Sequence, residues 1–247
     1  ANKDLDRFAF MASHDLQEPL RKIRMFSDRL ALKYNDIMDE DGRTNIQRIH
    51  KAAERMQNLI TDILTFSKIS VDRPSFAQCD MNALIDEVLT DLEEEIKSKN
   101  GRVIVDKLPT LYVNASLMKP LFHNLIGNAL KYSKKDTTPV VKITSEISSQ
   151  LNGKTNHGVS PKYCRIYIQD NGIGFDQKYA EEIFGMFKRL HHNSEFQGTG
   201  IGLALCKKIV EQHNGFISAR SKINEGSTFI VSLPAQHETQ TVTSISS

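Results

Sequence analysis

FAFMASHDLQEPLRKIR, residues Phe8 to Arg24, settles how the first third of the chain is read. A helix turns about 100° per residue, which places Leu5, Phe8, Leu16, Ile23, Phe26 and Leu30 within roughly 40° of Ala12, and Leu20 slightly farther out. His14 falls at about 200°, nearly opposite that apolar stripe, on the polar side it shares with Arg7 and Arg21. Imidazoles titrate near neutrality, so one that faces away from a core is a competent nitrogen nucleophile. Asp15 follows directly, and a carboxylate beside an imidazole can hold its tautomer and take up positive charge. Pro19, inside the same helix, should bend it and free a backbone carbonyl in the preceding turn.

Outward from this stretch, the first helix is expected to run to about residue 36. Asn35 to Arg43, NDIMDEDGR, reads as the turn of a helical hairpin, with Thr44 as the N-cap of a second helix. In that helix Ile46, Ile49, Ala53, Met56, Ile60 and Ile63 alternate steps of three and four, and Leu59 and Phe66 widen the seam. Two amphipathic helices cannot cover both stripes alone, so the pattern predicts a four-helix bundle formed by a homodimer.

Lys68 to Ser75, KISVDRPS, loses the seam and reads as an interdomain linker. From Phe76 the pattern becomes mixed. It predicts strands at 76–78, 102–106, 111–113, 139–148, 162–170, 215–221 and 227–233, and helices at 80–99, 116–132, 177–184 and 200–214. The fold class is therefore α+β, a helical hairpin followed by an α/β sandwich with its helices on one face of the sheet. The domains are expected at 1–73 and 74–235. Ser149 to Pro161 is a polar insertion, and 236–247 a disordered tail or linker.

Composition narrows the classes. With 247 residues, 39% hydrophobic and 25% charged, the chain matches an ordinary globular protein of one or two domains. A net charge of +2 argues against a nucleic-acid or membrane partner. Cys79, Cys164 and Cys206 lack metal-type spacing and read as free thiols of a reducing, cytoplasmic setting. No apolar run approaches the roughly 20 residues of a membrane span. The start, ANKDLDRF, has helical character and no initiator Met, which reads as a fragment of a longer protein.

Four segments of the second half carry chemistry. HNLIGNALKYS, His123 to Ser133, places Asn124 and Asn128 four apart on one helical face, with Lys131 three farther on. DNGIGFD, Asp170 to Asp176, follows an apolar strand; its carboxylate and glycines can offer an acceptor while a flat ligand approaches the backbone. IFGMFKRLHH, Ile183 to His192, leads into a polar loop, and Phe184 and Phe187 taken alone read as packing residues. GTGIGLALCKKIVEQHNG, Gly198 to Gly215, opens a helix with three alternate glycines, where free N–H groups and the dipole favour phosphate. It is not a dinucleotide fingerprint, because Leu203 replaces the last glycine and no apolar strand precedes it. His191 and His192, and with them His50, His157, His213 and His237, read as solvated residues rather than metal ligands.

The order of SHDLQEPLR, HNLIGNALKYS, DNGIGFD, IFGMFKRL and GTGIGLALCKKIV resembles the H, N, G1, F and G2 boxes of sensor histidine kinases, across residues 2–234. LQEPLRKI after the histidine is similar to the phytochrome-type, PAS-linked subgroup. The resemblance implies a dimerisation and phosphotransfer hairpin followed by an ATP-binding domain of the Hsp90, gyrase and histidine-kinase type. It implies that His14 accepts phosphate, with Asp15 as base, and that Arg189 approaches the γ-phosphate. Asn128 would ligate Mg²⁺ with Asn124 beside it, Lys131 would reach the phosphates, and Tyr132 would line the pocket. Asp170 would accept from the adenine amino group, between Gly172 and Gly174. Gly198, Thr199, Gly200, Gly202 and Leu203 would form the lid hinge and phosphate cradle. The implied partners are an upstream sensor domain, phytochrome- or PAS-like, and a response-regulator receiver whose aspartate takes the phosphoryl group. ATPases of this fold carry Glu where Asn124 stands, so slow phosphorylation with little ATP turnover is expected. Glu18 departs from the Thr or Asn that many relatives carry four residues after the histidine.

Overall fold

The computed structural model describes residues 2–68, 75–148, 162–190 and 198–235, without the side chains of 2–16, 67 and 68. The central linker 69–74, the polar insertion 149–161, the tail 236–247 and His157, His191, His192 and His237 lie outside the described residues. The chain packs as two compact units, residues 1–73 with 185–208, and residues 74–184 with 209–247.

The first unit is built on the hairpin of α1 (Asn2–Tyr34) and α2 (Glu40–Lys68). Its second helix starts before Thr44, because Asp39 is the cap. The Gly42 N–H donates to Asp39 Oδ1 at 2.7 Å, and Glu40 and Asp41 place negative charge in the first turn. The apolar seam begins only at Ile46, and this polar first turn sets the boundary instead. Leu20, Ala53 and Ile60 form a buried line with Leu64 packed against it. Other members of the stripes are open: Ile23, Phe26 and Leu30 on α1 and Ile49 and Met56 on α2 are 45–53% exposed.

The second unit runs β1 (Ala77–Asp80), α3 (Met81–Asp91), α4 (Glu93–Ser98), β2 (Arg102–Val105), β3 (Thr110–Val113), α5 (Ala115–Lys131), β4 (Val140–Ser148) and β5 (Tyr163–Asp170). After α6 (Gly202–Gln212), β6 (Phe216–Lys222) and β7 (Gly226–Pro234) close it. The single helix expected over 80–99 is divided at Leu92, whose ψ of 4° leaves the helical range. The helix expected at 177–184 is two short 3₁₀ turns, Gln177–Tyr179 and Glu182–Phe184.

Five strands form a sheet in the order β2-β4-β5-β7-β6, with β2 parallel to β4 and the rest antiparallel; β1 and β3 pair separately. Alternation along β5 turns Cys164, Ile166, Ile168 and Asp170 to the buried side. Their β4 partners are Ile147, Ser145, Ile143 and Val141, and Cys164, Ile166 and Ile168 pair with Leu233, Val231 and Phe229 of β7. α5 packs on β4, β5 and α3, and its Leu121, Phe122, Leu125 and Ile126 are fully buried. At the sheet edge the Gln177 amide stands in for a neighbouring strand, donating to Ala219 O at 3.2 Å and accepting from Ser221 N at 2.8 Å.

His213, expected from sequence to be solvated, is instead buried at 4% exposure. Nδ1–H donates to Ile209 O at 2.7 Å and Nε2 accepts from Asn114 N at 3.1 Å, which fixes a neutral tautomer. Asn114 is itself the N-cap of α5, through Leu117 N. None of the three cysteines is in a disulfide, and burial pushes the Cys164 thiol up to about 11 and raises the Cys206 thiol as well, so neither of these two is a ready thiolate.

Candidate functional site

The second unit centres its polar chemistry on Asp170, which ends the buried row of β5 and is 9% exposed. Its Oδ1 accepts from Gly172 N at 2.8 Å and from Ser227 N at 3.1 Å. These protein donors are both spent on Oδ1, which leaves Oδ2 to accept from a ligand. Burial raises this carboxyl above an exposed aspartate, while the two N–H donors and the Lys134 ammonium pull it back down.

The loop after Asp170 is pressed against neighbouring backbone. A Cβ on Gly172 would stand 2.4 Å from Tyr132 O, the carbonyl that also accepts from Ile173 N at 3.0 Å. That bond ties the DNGIG loop, with Gly172 and Gly174, to the end of α5. The same helix carries the polar face expected from the spacing: Asn124, Asn128 and Lys131 are half-buried, while Leu125, Ile126, Ala129 and Leu130 face the core. Asn124 Nδ2 donates to Pro120 O at 2.9 Å. Lys131 Nζ donates to the Tyr132 hydroxyl at 3.2 Å and sits 4.6 Å from its ring centroid.

The β6–β7 turn was not anticipated as part of this site. Ser227 donates to Asp170, Lys134 Nζ donates to Asn224 O at 2.6 Å, and Gly226 lies against the Asp170 backbone. Asn171 locks the loop from the other side, accepting from Val140 N at 2.9 Å and donating to Thr138 O at 3.0 Å. Gly226 has φ of +103°, and a Cβ there would lie 2.1 Å from Asp170 O. Gly226→Ala is therefore expected to cost on the order of 3 kcal/mol, read as a lowered thermal midpoint; an unchanged midpoint would contradict it.

The remaining expected residues belong to the first unit. Arg189 is exposed. Phe187 N donates to Gly200 O at 2.9 Å, which closes the two feet of the loop between them. Phe184 packs edge-on against Phe229 in the second unit, but Phe187 is 60% exposed, with φ of +61° where its N–H turns to Gly200, and is not a core residue. Thr199 Oγ1 donates to Asp62 Oδ2 of α2 at 2.7 Å and accepts from Ile201 N at 3.3 Å. Gly202 and Leu203 open α6, so Gly198 to Gly200 precede the helix rather than begin it. His14 and Asp15 lie within α1, and their side chains lie outside the described residues. Among the described residues, no three His, Cys, Asp or Glu side chains group as a metal site, and no helix is long and apolar enough to cross a membrane.

Comparison with known proteins gives two family matches. Residues 4–71 match "His Kinase A (phospho-acceptor) domain", and residues 114–237 match "Histidine kinase-, DNA gyrase B-, and HSP90-like ATPase". The chain is 36% identical over 234 residues to phytochrome-like protein Cph1 of Synechocystis sp., covering 95% of this chain and 30% of that protein. It is 35% identical over 234 residues to cyanobacterial phytochrome A of Nostoc sp., covering 95% and 29% respectively. It thus spans about a third or less of these relatives. In fold it is similar to full-length ShkA in complex with AMPPNP, with a TM-score of 0.66 at 18% identity over 92% of this chain and 45% of ShkA. It is also similar to the Acinetobacter baumannii histidine kinase AdeS, with a TM-score of 0.59 at 19% identity over 88% of this chain and 96% of that one.

Proposed function

The chain belongs to the histidine kinase family, and from that premise we propose that it is the autophosphorylating core of a two-component sensor, transferring phosphate from ATP to His14 and on to a receiver aspartate. The observation that carries this reading is Asp170: a buried carboxylate with Oδ1 tied by two backbone donors and Oδ2 left for a ligand amino group. Gly172 and Gly174 let a flat purine approach, and Tyr132 closes the same wall.

Asn128 offers an amide oxygen, a hard donor suited to Mg²⁺; with no acidic cluster among the described residues, that ion would complete its shell with phosphate oxygens and water. Bound Mg²⁺–ATP supplies the phosphoryl group and the charge that offsets its oxygens. Lys131, Arg189 and the Gly198–Leu203 segment orient the phosphates through cationic and N–H donors. A His14 ring nitrogen is the nucleophile, and Asp15 orients the ring and takes up its positive charge. Positioning does most of the work, as in phosphoryl transfer generally.

The half-exposed stripes of α1 and α2 support a homodimer whose second hairpin completes a four-helix bundle. The upstream sensor would be phytochrome- or PAS-like, and Arg21, Met25 and Arg29 on the exposed face of α1 suit a receiver. The domain boundaries proposed are 1–73 and 74–235. Incubation with Mg²⁺–ATP should leave phosphate that is labile in acid and stable in base. Nucleotide binding without such a product would reduce the protein to an ATP-gated scaffold.

A further inference from the structure

We infer that Ser221 is a positioning residue for base recognition: its hydroxyl ties the loop after Asp170 to the β6–β7 turn, holds the Ser227 N–H on Asp170, and so aims the free carboxylate oxygen at the ligand. The inference deepens the phosphotransfer reading and rests on it. Ser221 of β6 pairs with Ser227 of β7, and their hydroxyls meet at 2.9 Å. The Ser221 hydroxyl also accepts from Phe175 N at 2.8 Å and donates to Gly226 O at 3.0 Å.

Counting protons fixes the direction of each bond. A hydroxyl has one proton to give and two lone pairs to fill. The Gly226 carbonyl can only accept, so the Ser221 proton goes there, and Ser227 is the donor between the two hydroxyls. Ser221 Oγ is then saturated, with one bond given and two received. The Ser227 side chain is fixed in turn through its only proton. Gln177 Oε1 accepts from Ser221 N at 2.8 Å and holds the same residue by its backbone.

The sheet needs this tie where its ladder stops. Between β5 and β7 the backbone pairing ends at Gln169 and Thr228, one residue short of Asp170 and Ser227. Beyond that point Asn224 N, donating to Ile173 O at 2.7 Å, and Phe175 N, donating to Ser221, draw the loop back against β6 and β7. The segments that Ser221 joins are the ones that hold the carboxylate. Gly172 N and Ser227 N donate to Asp170 Oδ1 at 2.8 and 3.1 Å, and Gly226 lies against the Asp170 backbone. Without the hydroxyl, the Phe175 N–H, the Gly226 carbonyl and the Ser227 hydroxyl lose their common partner, and the loop and turn can part. The carboxylate then keeps its charge but loses its aim, and the loss falls on the base rather than on the phosphates.

The test compares two probes on the whole chain with Mg²⁺: AMPPNP, and the same nucleotide with hydrogen in place of the 6-amino group. In Ser221→Ala the preference for AMPPNP should fall roughly 3- to 10-fold, with affinity for the amino-free probe within about twofold of the wild type. Ser221→Thr keeps the hydroxyl and should keep the preference. Ser221→Val, which matches threonine in shape without the hydroxyl, should lose it. Parallel loss of both probes would make Ser221 merely structural and overturn the inference, as would an unchanged preference in the alanine and valine variants. Equal affinity of the wild type for both probes would mean that Asp170 does not read the amino group; the inference then falls and the phosphotransfer reading stands. Failure of the wild type to bind AMPPNP sinks that reading and the inference with it. Should neither Ser221→Ala nor Ser221→Val fold, Gln177→Ala decides, because it frees the Ser221 backbone and leaves the hydroxyl in place: a lowered preference upholds the inference and an unchanged one overturns it.

Discussion

His14→Ala should lose all acid-labile phosphate and gain no ATP hydrolysis in exchange. The first half follows from the assignment of His14 as acceptor on the hairpin; of the other described histidines, His213 is locked between Ile209 O and Asn114 N, His50 pairs with Asp28 at 3.2 Å, and His123 is exposed on α5. The second half turns on Asn124. Water attack on a phosphoryl group needs a base, and an amide cannot accept the proton. Asn124 also commits its Nδ2 to Pro120 O, so it is held along its own helix. Without the imidazole, bound ATP faces neither nucleophile nor base. Loss of label should exceed a thousandfold, the scale on which removal of a reacting group acts. Steady phosphate release by this variant in a coupled assay would refute the assignment of His14 and the role given to Asn124.

Asp170→Asn is expected to uncouple nucleotide binding from folding. The amide oxygen can still accept from Gly172 and Ser227, so stability should change little. Oδ2, however, becomes an NH₂ that meets the ligand's amino group donor to donor. Losing a charged hydrogen bond costs roughly 1.5–3 kcal/mol, which corresponds to about 10- to 100-fold in affinity for ATP analogues. Asp170→Ala should lose affinity as severely and also unfold more readily, because two buried N–H groups are orphaned at about 1–3 kcal/mol each. Titration calorimetry and thermal melts on the pair separate these effects. Affinity of Asp170→Asn within twofold of the wild type would show that this carboxylate does not read the base. The pH dependence has a definite sign: ligand recognition needs the ionised form, and burial raises the pKa. Binding should therefore fall away at milder acidity than an exposed aspartate would cause.

Where the sequence was legible, a local period carried the information. The steps of three and four in α2 located the buried Ala53 and Ile60, and the apolar run before DNGIGFD located the strand that ends at Asp170. DNGIGFD stood out because a carboxylate followed by glycines is short-range chemistry. What escaped depends on distant partners. Ser227 reaches Asp170 from 57 residues away, Asn114 meets His213 from 99, and Thr199 meets Asp62 from 137. An isolated histidine or helix acid carries no sign of such a partner. Thr44 was misread as a cap for a different reason: the apolar period locates the seam, whereas Asp39 and the acidic turn after it locate the first residue.

The Gln177 amide on β6 has a consequence for self-association. An exposed strand edge is an invitation to pair with another molecule, and proteins commonly blunt it. Here one side chain occupies the carbonyl of Ala219 and the amide of Ser221, the groups an incoming strand would seek. The opposite rim, β2, is only four residues long. Stacking of copies rim to rim into fibrous polymers is thereby discouraged, and the adhesive surface that remains is the greasy flank of the two long helices.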